Sequence, residues 1–133
     1  MSAATVSQLL DRRDGKATQF PVAAATKLLA GVLWALDGSH RLVNASDAAA
    51  RRVVGVGMDE VDNSAGAAAA LNGNANKGLY LLVNSGTNAV TDAHIGQACY
   101  VEDNQTVASS VGTNTVVAGI VEKVTSDGVW VWV

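Results

Sequence analysis

Apolar and polar positions along this chain fall into short runs of strand-like period, interrupted every few residues by Gly, Asn or Asp. The pattern is clearest in residues 116–133, VVAGIVEKVTSDGVWVWV. Two β-branched and aromatic runs flank Thr125-Ser126-Asp127-Gly128, and an Asp-Gly pair between apolar runs predicts a hairpin. Strand alternation then sends Val129, Val131 and Val133 to one face and Trp130 and Trp132 to the other. If the valines line a core, two indoles stand outside it, and something has to cover them.

The remainder predicts more short strands. Residues 16–22 form a first strand with Pro21 at its edge or end. Residues 23–30 read as a connector. Residues 32–36 form a strand with Val32, Trp34 and Leu36 on one face and Leu33 and Ala35 on the other; Trp34 reads as core. Asp37-Gly38-Ser39 is a turn, and residues 40–44 return as a strand. The Ala-rich stretch 44–52 allows one helical turn, too short to be stable alone. Residues 53–62 are a strand region in which Gly55 and Gly57 share a face, a pattern that permits close backbone approach. Over 63–76, propensity favours a helix at 67–71, while the β-rich surroundings favour a surface excursion or an irregular strand. Residues 78–83 are a central strand, Thr91-Asp92-Ala93-His94 a capped turn, and 97–101 with 106–108 a second hairpin. Eight to ten short strands and no helix beyond about two turns predict an all-β fold. The expected architecture is a small closed or partly open β-barrel of short, mostly antiparallel strands over 16–133. Residues 1–15 precede it as an N-terminal arm, either free or crossing to a neighbouring subunit.

Composition sharpens this. The chain has 133 residues, enough for one domain. Charged residues are 16%, below the roughly 25% usual for globular domains. A lightly charged exterior suggests a surface covered by neighbours, hence a homo-oligomer or assembly component. A net charge of −3 without a basic stripe argues against nucleic acid. No membrane span or signal peptide is evident, so synthesis in the cytoplasm is expected. One cysteine excludes an internal disulfide.

Candidate chemistry is sparse. His40 and His94 lack neighbours at metal-ligand spacing, and no cofactor motif is present. Cys99, in an apolar run, reads as a small buried thiol rather than the partner of either histidine in a nucleophilic pair. Gly55-Val56-Gly57 is not a phosphate-binding fingerprint, since no strand-to-helix junction surrounds it. Asp59, Glu60 and Asp62 read as a solvated strand end; a small hydrolase using Asp59 or Asp62 with His40 is the enzymatic alternative. The doubled basic sites, Arg12-Arg13 and Arg51-Arg52, are either plain surface pairs or forks for carboxylates on a partner. Trp130 and Trp132 are either packed or an interface, because aromatic residues are enriched in interface cores. These six residues are the candidate interface. Indoles also stack on sugars, which leaves a carbohydrate- or host-surface-binding module as another alternative.

Several segments, in this order, resemble small capsid cement (head decoration) proteins of tailed phages and prophages. They are Phe20-Pro21-Val22-Ala23-Ala24-Ala25-Thr26-Lys27 with Ala30-Gly31-Val32-Leu33; Arg52-Val53-Val54-Gly55-Val56; and Val61-Asp62-Asn63-Ser64-Ala65-Gly66. Residues 95–107 (IGQACYVEDNQTV), Val117-Ala118-Gly119-Ile120-Val121 and Gly128-Val129-Trp130-Val131 complete the set. The resemblance implies a non-catalytic β-barrel on the outer surface of the virion capsid. There it would sit as trimers on the major capsid protein and stabilise the assembled head. The family has no catalytic motif to carry over. Asn72-Gly73-Asn74-Ala75-Asn76 departs from it, the relatives being more strand-like there.

Overall fold

A computed structural model describes residues 16–133; the arm expected at 1–15, with Arg12 and Arg13, lies outside them. Twelve strands are described: β1 (Ala17–Pro21), β2 (Thr26–Leu28), β3 (Leu33–Leu36), β4 (Leu42–Asn44), β5 (Arg52–Gly57), β6 (Val61–Asn63), β7 (Asn72–Asn76), β8 (Leu79–Asn84), β9 (Ala98–Val101), β10 (Thr106–Ala108), β11 (Val117–Thr125) and β12 (Gly128–Trp132). The C-terminal five close into a barrel in the order β10-β8-β12-β11-β9, with β10–β8 its one parallel pair. The N-terminal strands form an open sheet, β1-β7-β5-β3-β4, covered in part by the pair β2-β6. The all-β barrel expected from the pattern is therefore present, built from the C-terminal half of the chain.

Strand β3 joins the halves because alternation buries both its faces. Leu33 and Ala35 enter the barrel cluster with Val56, Leu82, Val90, Cys99, Val107, Val121, Val129 and Val131. Trp34 faces the opposite way, into a second cluster with Val22, Leu28, Leu42 and Ala75. Its indole Nε1–H donates to the Leu29 carbonyl at 2.9 Å, so burial leaves no polar atom unmet.

Three local readings are settled or changed. Of the alternatives for 63–76, the helix is absent: residues 67–71 are turns, and Asn72–Asn76 is a strand between β1 and β5 despite its poor β-propensity. Packing decides this: Gly73 and Ala75 face inward, and a Cβ at Gly73 would lie 3.0 Å from the Trp34 ring and from Leu42. Only a strand with small residues at those positions can pass beneath the indole. Residues 23–30, expected as a connector, contain β2, held by Asn44, which accepts from Leu29 N–H at 3.0 Å and donates to the Lys27 carbonyl at 2.9 Å. The Ala-rich stretch 44–52 forms no helical turn; it instead carries Asp47 against the loop before β11. The turn at Thr91 appears as expected, one 3-10 turn over Asp92–His94 with Thr91 and His94 capping each other.

Asp47 has a measurable consequence. Its carboxylate accepts the backbone N–H groups of Asn114 (2.8 Å) and Thr113 (2.9 Å), and these bonds, Asn114's first, hold its pKa below the ordinary 3.8. A lowered folded-state pKa contributes stability above the unfolded value and loses it as pH falls through the folded value. Asp62, held down first by the Ser64 hydroxyl and then by the Ser64 N–H, adds in the same direction. Thermal unfolding should show Asp47→Asn less stable than wild type at neutral pH, with the gap closing below about pH 3.8. A gap that does not change with pH would contradict this assignment.

Candidate functional site: the outer face of the barrel

The site begins with the parity of three adjacent strands. On β12, Val129 and Val131 are fully buried while Trp130 is partly exposed and Trp132 exposed, as the alternation requires. On β8, Leu82 points inward and Leu79, Leu81 and Val83 point out. Pairing aligns these side chains: Trp132 lies opposite Leu79 on one side and Ile120 on the other, and Trp130 lies between Leu81 and Lys123. The result is a continuous apolar face, with Leu79 37%, Leu81 42%, Val83 48%, Ile120 44% and Trp132 50% exposed. Neighbouring exposed apolar side chains of this kind mark interaction surfaces, whereas single ones need no explanation.

A bulge shapes the middle of the face. The β11–β12 register shifts between Val121 and Lys123, which leaves Glu122 as the extra residue beside the indoles. The Trp132 Nε1–H donates to Glu122 Oε2 at 2.9 Å. The one polar atom of that indole is thereby satisfied within the chain, and its ring stays free for apolar contact. Leu79, Glu122, Lys123 and Trp130 border a shallow hollow of about 260 Å³. At the other end of β8, Ser85 donates to Glu102 Oε1 (2.8 Å) and accepts from the Thr87 and Asn88 N–H groups, which pins the loop leaving the face.

Of the sequence-derived candidates, Trp130 and Trp132 belong to this face. Arg51 and Arg52 do not; they sit at the start of β5, across a separate groove from β11. Leu79, Leu81, Val83 and Ile120 were not singled out in the sequence. In LYLLV every residue is apolar, so periodicity alone cannot say which set faces water.

The remaining candidates are dispersed. Cys99 is fully buried, its nearest polar partner the Gly119 carbonyl at 3.7 Å, and burial pushes its thiol up to about 11. His94 Nδ1 is engaged by the Thr91 N–H at 2.9 Å. His40 lies in the β3–β4 turn, hydrogen-bonded through its backbone N–H to the Asp37 carbonyl. Asp62 is tied to Ser64, and Glu60 pairs with Lys27 at 3.5 Å. A cavity of about 90 Å³ beside Asp59 is lined also by Trp34, Val61 and residues of β7, with neither His40 nor Asp62 in its wall. Among the described residues, no three His, Cys, Asp or Glu side chains gather at metal-binding spacing.

No protein-family model, curated protein or solved structure matches this chain.

Proposed function

We propose that this protein is a non-catalytic cement protein, which binds the outside of an assembled phage capsid and stabilises it as a homotrimer. The observation that carries the reading is the apolar face formed by Leu79, Leu81, Val83, Trp130, Trp132 and Ile120 on the barrel's exterior. The ordered segment resemblance supplies the identity of the partner, the major capsid protein, and the location on the virion. A ligand that binds only the assembled shell raises the shell's apparent stability by mass action. Repetition around an icosahedral surface multiplies a modest contact at each site.

The purified chain should co-sediment with undecorated heads of the phage or prophage that encodes it, and raise the temperature at which those heads release DNA. A chain that stays in the supernatant, and is missing from mature particles, counts against the reading. A second reading, binding of carbohydrate or a host surface by the displayed protein, is favoured by the half-exposed Trp132 ring beside the Glu122 carboxylate. A glycan array without hits removes it.

A further inference from the structure

A second surface lies at the seam between the open sheet and the barrel. Arg51, Arg52 and Val53 form one side of a groove of about 400 Å³; Thr115, Val117, Ala118 and Gly119 form the other, and Val133 closes it. Its walls are mostly apolar, yet two guanidinium groups stand at its edge. Neither has a carboxylate partner among the described residues, where the one ion pair is Lys27–Glu60. Arg51 Nε is buried with no hydrogen-bond acceptor among the described residues. Arginine cannot shed its charge and carries only donors, so an acceptor has to be brought to it. Because no acceptor among the described residues holds Nε, rotation of the side chain can turn the Nε–Nη edge towards an incoming carboxylate, the geometry in which guanidinium binds two oxygens at once.

We propose that this groove receives an extended segment of another protein that carries an aspartate or glutamate next to an apolar side chain. The carboxylate takes the Arg51 and Arg52 donors, and the apolar neighbour lies against Val53, Val117 and Val133. Charge complementarity selects the acid: two adjoining cations have no ion-pair partner among the described residues. The apolar walls select a peptide over an inorganic anion, which would leave them uncovered. The inference rests on the proposed function only in naming the capsid shell as the source of the segment.

The test is an NMR titration of the full chain with two blocked tetrapeptides, Val-Asp-Val-Ala and Val-Asn-Val-Ala, and with acetate and phosphate as controls. The Asp peptide should move the Arg51 Nε–H and the Val117 and Val133 methyl signals saturably, at least about tenfold more tightly than the Asn peptide. Acetate and phosphate should move only the arginine signals. Arg51→Ala/Arg52→Ala should abolish the preference for Asp without changing the melting temperature, and Arg51→Lys/Arg52→Lys should restore it in part. Equal response to the two peptides, or none, overturns the proposal. So does binding that emerges only in Asp11→Asn/Asp14→Asn, which makes the chain's own N-terminal segment the occupant. Self-association lost in Arg51→Ala/Arg52→Ala overturns it too, by making a second copy the occupant. Co-sedimentation with heads that survives while the Asp preference is absent would sink this inference alone. The preference without co-sedimentation would sink only the functional reading.

Discussion

A barrel carrying Leu81→Ser and Trp132→Ser should remain folded and lose its partner. Both side chains are close to half exposed and lie on the outside of a closed barrel, so the folded state gives up little by losing them. The intramolecular loss is limited to the Leu81–Trp130, Trp132–Leu79 and Trp132–Ile120 cross-strand contacts, each worth about 0.2–1 kcal/mol, and the exposed Trp132–Glu122 hydrogen bond. The intermolecular loss is larger. Buried tryptophans near the centre of an interface typically cost 2 kcal/mol or more on truncation, about 30-fold in affinity. The pair together should weaken binding to heads by about a hundredfold or more while circular dichroism shows an unchanged sheet. Undiminished binding would remove the face from the interface.

Trp34→Ala should produce the largest loss of stability. Trp34 is the biggest fully buried side chain and the centre of the second cluster, touched from several directions by Val22, Leu28, Leu42 and Ala75. Removing a buried tryptophan costs about 3–5 kcal/mol. Domains of this size hold only about 5–15 kcal/mol in all, so the variant sits near the edge of folding at 37 °C. Gly57→Ala tests the same packing from the opposite side, because a Cβ there would occupy the space of the Trp34 ring itself. That substitution should cost about 1–3 kcal/mol or more through overpacking. Urea unfolding followed by circular dichroism measures both. A loss below about 1 kcal/mol for Trp34→Ala would mean that the second cluster is not a true core.

The outcome shows which physical signals a single sequence carries. The C-terminal hairpin was legible because both its strands and its turn obey local rules; Val129 and Val131 line the core and Trp132 stands outside it. One detail shifted: the connecting pair is Ser126-Asp127, and Gly128 begins β12, where a Cβ would run into the Leu82 carbonyl. The two faces of β3 were legible for the same reason of strict alternation. Strand β7 was legible only as one of three alternatives for 63–76, an irregular strand beside a helix and a surface excursion. What decides between them is Trp34 lying above NGNAN, a contact that joins residues about forty positions apart. The outward leucines of β8 were hidden by a run apolar on both faces, whose orientation is fixed by pairing with β12. The Arg51-Arg52 doublet could be seen in the chain. Its apolar opposite wall, and the lack of an ion-pair partner among the described residues, could not, because both depend on how β5 meets β11.

The central claim is that another protein covers the face built by β8, β12 and β11. An electron cryomicroscopy reconstruction of the virion tests it most directly. The account predicts a trimer of barrels at each decoration site, with Leu81, Trp130 and Trp132 turned onto a neighbouring chain and withdrawn from solvent. A particle that lacks the protein, or carries it with those side chains facing open water, would contradict the account.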